Sequence, residues 1–242
     1  MTKAYDEETV DEVTRYMLAV ATENEECPLA FVTFDRITAK DASFKKTALV
    51  HVQQEPKITG DGFAVITNTR RGRHGKMILQ NVAFDIQHTV IGGEGKEFWT
   101  VDRNIPHKKT LFEGSLEEYG WGRIEISPAS PEKTNHILTV MYVTDLDNDA
   151  APIKAQDISS DTLAGTAILG KAMLFPKNEK LLTEEATFTV GEATECYVAG
   201  LSEGKWAIYK DSTAFKTVTV DKGTHLLNFT ADAGAYTIKH VN

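Results

Sequence analysis

Short runs of alternating, β-branched-rich residues recur from one end of this chain to the other, and they constrain it more than any other feature. They fall at residues 29–34 (LAFVTF), 47–52 (TALVHV), 63–67 (FAVIT), 76–82, 122–126 and 137–143. Clusters of glycine, proline and asparagine separate them, as in ITGDGF and ISPASPEKTN. Such punctuation at roughly ten to fifteen residues predicts antiparallel strands in a β-sandwich rather than βαβ units. Residues 8–21 have some helical composition, but Val10, Val13, Thr14 and Val20 favour a strand across 14–21.

The acidic, proline-ended stretch DLDNDAAP at 145–152 is the best candidate boundary. An EF-hand loop would need glycine where Ala150 stands, so this stretch reads as a solvated linker. Beyond it, shorter strands are expected at 166–174, 186–190, 195–198, 206–209, 217–220, 224–229 and 235–239. The organisation expected is therefore all-β: an antiparallel β-sandwich over residues 1–150, then a smaller all-β domain over 151–242.

Charge and cysteine content narrow the function classes. With 26 basic and 35 acidic residues the net charge is −9, which repels a polyanion and argues against nucleic acid as a partner. No run of about 18 apolar residues is available to span a membrane, so no membrane partner is expected. The amino-terminal segment lacks the basic start and apolar centre of a signal peptide. Either a cytoplasmic protein or a mature or excised piece of a longer secreted one would read this way, and an opening in mid-pattern, already strand-like, favours the second. Cys27 and Cys196 suggest neither a zinc knuckle nor a disulfide framework.

Several residues are of types that carry chemistry. None of the seven histidines forms an HxH or HExxH motif. His51 stands inside an apolar strand, and Asp35 ends another. Together they could bind a metal or orient an imidazole as a base; otherwise the histidine only satisfies a buried hydrogen bond. Arg70, Arg71, Arg73, His74 and Lys76 lie within seven positions of one loop. That loop is either an anion site or a solvated turn. Trp99 and Trp121 lie in glycine-rich surroundings where exposed rings could stack on sugars, whereas Trp206 reads as core. Tyr5 and Tyr119 are candidate proton donors. No nucleophile elbow, phosphate loop or dinucleotide fingerprint occurs.

Four stretches taken in order, TKAYDEETVDEVTRYMLAV, LAFVTFDRITAKDASFKKTALVHVQQEP, GGEGKEFWTVDRNIP and GWGRIEISPASP, resemble the post-catalytic part of the heparinase II/III-like polysaccharide lyases. EGKWAIYKD and DAGAYTIKHVN resemble that family's closing β-domain. The signature FDR…KK…H…EP carries most of the likeness. The resemblance implies an α/α toroid, a central β-sandwich and a small β-domain. It also implies β-elimination on uronic-acid polysaccharides in a bacterial, periplasmic or secreted setting. The toroid, which contributes most of the catalytic machinery, has no counterpart among these residues.

The resemblance therefore implies a non-catalytic sandwich portion that binds an acidic polysaccharide or scaffolds a separate toroid chain. The alternative is a short lyase with His51, Tyr119 and Tyr5 as catalytic groups. Arg70, Arg71, Arg73, His74, Lys76, Trp99, Trp121 and Arg123 would then hold the glycan. The resemblance further implies a structural zinc or calcium, for which Asp35 and His51 are the available pair and Cys27 a further ligand position. A toroid chain or a second copy of the protein would be announced by an exposed apolar patch on the sandwich.

Overall fold

The structure, a computed structural model, describes residues 5–69, 72–100, 102–105 and 120–241. Among these there is no α-helix. In chain order the strands begin with a long hairpin, β1 (Val10–Asn24) and β2 (Cys27–Ala39). Then come β3 (Ala48–Val52), β4 (Lys57–Ile58), β5 (Phe63–Asn68), β6 (Gly75–Val82) and β7 (Ile86–Gly92). β8 (Gly122–Pro128) and β9 (Thr134–Asp145) complete the first half. The second half holds β10 (Gln156–Asp157), β11 (Leu163–Ile168), β12 (Lys171–Pro176), β13 (Ala186–Val190) and β14 (Thr194–Ala199). It closes with β15 (Gly204–Lys210), β16 (Thr213–Val220), β17 (Leu226–Ala231) and β18 (Gly234–Val241).

These strands form four sheets, ordered β1-β2-β9-β6-β5-β4, β3-β8-β7, β10-β11-β12-β14-β17 and β13-β18-β15-β16. The all-β, mostly antiparallel expectation holds; β12 and β14 alone among the described strand pairs run parallel. One expected strand is corrected. Residues 166–174 are a hairpin, because Leu169 and Gly170 take φ of 49° and 69° and reverse the chain between β11 and β12. Glycine adopts that left-handed conformation freely, whereas leucine is strained in it.

The sheets stack through three apolar clusters. Val52 of β3 and Ile124 and Ile126 of β8 meet Ala64, Leu79 and Ile137 of the six-stranded sheet. On the opposite face of that sheet, Val32, Phe34, Leu138 and Val140 meet Ala164, Met173 and Phe175 of the five-stranded sheet. The far face of the five-stranded sheet sends Leu163, Leu174 and Val198 against Phe188, Trp206 and Ile238. Where the two inner sheets are covered on both faces, β2 and β12 bury consecutive residues rather than alternate ones. Cys27 is buried in the middle cluster and Cys196 in the third, both as free thiols.

The segment between β9 and β10 lies against the sandwich. The Gln80 side-chain amide bonds both the N–H and the C=O of Ala155, at 2.8 and 3.1 Å, and the Ile153 N–H donates to the Tyr142 hydroxyl at 2.7 Å. Farther along the same junction, Tyr16 donates its hydroxyl to the Lys180 carbonyl, and His136 Nε2 donates to the Lys177 carbonyl at 3.0 Å. Phe34 stacks on His136 and on Phe175, with ring centroids 5.6 Å apart in each case.

Candidate functional site

A cleft of about 730 Å³ opens at one end of the six-stranded sheet. Its floor is built from β5, β6 and β9, where Thr67 pairs with Lys76 and Met77 with Val143. One wall is the end of β3, with His51 and, just beyond it, Gln53; Glu25 of the turn between β1 and β2 and Pro28 at the start of β2 form the other. Residues 73–76, entering β6, supply Arg73, His74 and Lys76. The β3 end is clamped to the β5 end by Gln54, whose amide donates to Thr69 Oγ1 at 3.0 Å and accepts the Thr69 N–H at 2.9 Å. That clamp sets the spacing between the wall and the basic segment.

Four of the residues singled out in the sequence therefore converge: His51, Arg73, His74 and Lys76. Their electrostatic situations differ. Arg73 is exposed and takes part in no ion pair among the described residues. His74 Nδ1 lies 3.6 Å from an oxygen of Asp147, both side chains well exposed. The Lys76 ammonium is turned inward and donates to the Asn148 and Leu146 carbonyls, so it braces the loop after β9. Glu25 and Asp145 bring carboxylates to the same cleft, which is consequently mixed in sign rather than uniformly basic.

Other expected residues stand elsewhere. Arg123 sits opposite His51 in the register of β3 and β8, but it is only 8% exposed. Its Nε and Nη2 hold Glu125 at 3.1 and 2.7 Å, and Nη1 donates to the Trp99 carbonyl. These contacts engage three of its five donors, and Arg123 does not line the cleft. Trp99 is half-buried and makes an isolated bridge to Asn104. Trp121 is half-buried against the cluster beneath the three-stranded sheet, its ring lying over Gly92 where any Cβ would collide with it. Neither tryptophan lines the cleft. Tyr5 is exposed near Arg15, away from it. Tyr119, Arg70 and Arg71 lie outside the described residues.

The residues proposed for a structural metal are set apart. Asp35 on β2 is 2% exposed, and its two oxygens accept from Arg15 Nε and Nη2 at 2.5 and 2.7 Å. It stands beside Ile137, whereas the cleft with His51 lies beside Val143, six residues farther along β9. At about 3.3 Å per residue the two are roughly 20 Å apart along that strand. Cys27 is fully buried, and burial raises its thiol above the usual range, with Thr22 opposing the shift. No group of three or more histidine, cysteine, aspartate or glutamate side chains among the described residues could hold an ion. Among the described residues, Asp35, His51 and Cys27 do not come together as a zinc or calcium site.

Sequence reasoning missed Gln53, Asn68, Glu25 and Asp145 as cleft residues. They come from four separate strand ends, and only sheet pairing brings them together.

Below this layer, strands β11 to β18 form two facing sheets with a common core. Residues 157–240 match the family model of the heparinase II C-terminal domain. The heparinase II match thus takes in β11 to β18 except for Val241, together with Asp157 of β10, and it stops short of the cleft. That match covers residues 157–240 alone, and the likeness it shows is to the heparinase II C-terminal domain. No curated protein matches the chain.

Proposed function

We propose that this chain is the non-catalytic β-sandwich portion of a heparinase II-type polysaccharide lyase, and that the His51–Arg73 cleft binds a uronic-acid polysaccharide. The observation that carries this reading is a convergence in one open cleft. Arg73, with no ion-pair partner among the described residues, lines it together with His51 and Gln53. Arginine presents a planar pair of donors that suits a uronate carboxylate. Glu25 and Asp145 are suited to accept from sugar hydroxyls.

Elimination needs more than this. A base must remove the proton beside the carboxylate, an acid must protonate the leaving oxygen, and the carboxylate charge must be neutralised in one enclosed geometry. The cleft offers imidazoles and a guanidinium but is open on one side, and no tyrosine among the described residues lines it. Binding is therefore the function its geometry supports.

The test is retention on columns of immobilised heparin, chondroitin, hyaluronan and alginate, with salt elution. Retention on at least one column that weakens in Arg73→Ala and His51→Ala supports the reading. So does the absence of the unsaturated-uronate absorbance after prolonged incubation. Retention unchanged in both variants overturns the assignment to this cleft.

A second reading, a scaffold for a helical toroid chain, is favoured by one observation. On the outer face of the six-stranded sheet, the register places Ala21 beside Leu29 and Ala19 beside Phe31. Leu29 and Val143 are exposed by 46% and 59%, so an apolar face stays open beside the cleft. Mass measurement with and without a toroid polypeptide tests it, and the absence of a complex rules it out.

A further inference from the structure

We infer that residues 177–181 form an acid-released strap, freed from the sandwich when His136 beneath it takes up a proton, so that Arg36 and Tyr16 are uncovered. The strap leaves β12 after Pro176 and is fixed at both ends within its own half of the chain. The Lys177 N–H donates to the Thr162 carbonyl at 2.9 Å, and the Leu182 N–H to the Gly200 carbonyl at 2.7 Å. Between those anchors its residues are half-buried or exposed, and none belongs to an apolar cluster. Among the described residues, two hydrogen bonds fasten it to the other half. His136 Nε2 donates to the Lys177 carbonyl at 3.0 Å, and the Tyr16 hydroxyl donates to the Lys180 carbonyl. Lifting the strap therefore breaks little packing, whereas parting the two halves would open the whole middle cluster.

The surroundings of the ring make the fastening sensitive to acid. Nε2 gives its proton to Lys177, so Nδ1 is the nitrogen left to titrate, and it makes no hydrogen bond among the described residues. The ring is stacked between Phe34 and Phe84, with centroids 5.6 and 5.3 Å away. Arg36 stands directly across from it in the β2–β9 register, is 4% exposed, and has Nε buried without a hydrogen-bond partner. Lys177 brings a second cation, its ammonium 5.8 Å from the centre of the Phe84 ring. The charged groups acting on the imidazole are these two and Glu132, in the turn before β9. Glu12 is held by Arg36 at 2.7 Å, Glu179 acts on Tyr16, and Lys180 acts on Glu12. A proton on Nδ1 thus adds a third positive charge where burial already disfavours one, and burial outweighs the help of the Lys177 carbonyl. The strap carries the Lys177 ammonium and covers Nε2, so lifting it relieves both penalties. Closure is favoured while the imidazole is neutral, and a single proton taken up on opening raises the opened fraction by at most about tenfold per pH unit below about 6.5.

Cleavage of the full chain after Glu179 by a glutamate-directed protease tests the inference. The rate is followed between about pH 7.5 and 5 and divided by that of a peptide of residues 174–184 at each pH. The ratio is expected to rise at least about fivefold over that range, in step with the His136 titration read by NMR. Cleavage after Glu195, inside β14, is expected not to rise with it, which separates a lifted strap from global unfolding. His136→Gln keeps an amide donor toward Lys177 but cannot titrate, and its profile is expected to be flat. Tyr16→Phe removes the other fastening and should speed cleavage after Glu179 about fivefold at neutral pH while keeping the acid rise. Any of four results would overturn the inference: a flat profile for the unmodified chain, an acid rise retained by His136→Gln, cleavage after Glu179 and Glu195 rising together, or Tyr16→Phe cut no faster than the unmodified chain. None of these side chains lines the His51–Arg73 cleft, so the outcome is independent of glycan retention.

Discussion

Arg15 stands directly across from Asp35 in the β1–β2 register and grips both of its carboxylate oxygens. The two partners are unequally placed: the Arg15 side chain is 36% exposed and that of Asp35 only 3%. Removing the arginine would strand a buried anion, whereas removing the acid leaves a cation that can reach water. Arg15→Ala is therefore expected to cost about 3 kcal/mol, and Asp35→Asn distinctly less. Urea unfolding of both variants checks the order, and equal losses would contradict this account.

His136 predicts a pH dependence. Its ring is packed between Phe34 and Phe84 and donates to the Lys177 carbonyl. Burial lowers its pKa below the ordinary imidazole value, outweighing the hydrogen bond to Lys177 that favours the charged ring. His88, bonded to Asn81, is lowered by burial as well. In both cases the unfolded chain takes up a proton before the folded one does. The stabilisation is complete above the unfolded imidazole value of about 6.5 and is lost progressively as the pH falls below it. The urea midpoint is expected to fall between about pH 7.5 and 5.5, and His136→Gln/His88→Gln should flatten that slope. An unchanged slope would remove these rings as its cause.

Gly92→Ala is expected to destabilise by about 2 kcal/mol, because the added methyl would enter the space of the Trp121 ring. Thermal unfolding reads the loss and near-ultraviolet circular dichroism reads the displaced indole. Gly60→Ala, where nothing lies near the added atom, is the control.

Arg73 and Lys76 should separate in their effects although both line the cleft. Arg73→Ala is expected to weaken glycan retention and leave stability unchanged. Lys76→Ala should also cost about 2 kcal/mol, since its ammonium holds two carbonyls of the loop after β9. Limited proteolysis of residues 146–152 is expected to quicken only in the lysine variant.

Phe175→Ala is expected to cost about 3–5 kcal/mol and to lower a single thermal transition, because this ring packs against Tyr16 and Phe34 from the other half of the chain. Two separate calorimetric transitions, with only the later half affected, would contradict this.

The fold was largely legible in the sequence where strands have one covered face. β13, for example, alternates buried and exposed residues along ATFTV. Legibility failed where both faces are covered. In β12 every residue after Lys171 is buried, so the run merged with β11, and a leucine at the turn concealed the reversal. At the site, the basic loop and His51 stood out by residue type. Arg123 lies apart from the cleft, held by Glu125, which follows it at the two-residue spacing that puts both on one face of a strand. Asp35 had no such local sign, because Arg15 is twenty positions away and only hairpin register joins them.

The two cysteines have a consequence for where such a chain can work. Each thiol is walled into a different apolar layer, and burial pushes that of Cys196 up to about 12. Oxidants attack thiolates, and a protonated sulfur with no route to water offers them little to react with. The finished molecule can therefore pass through an oxidising compartment without acquiring a crosslink. Any vulnerability belongs to the interval before the layers close, when both sulfurs are still within reach of each other and of solvent.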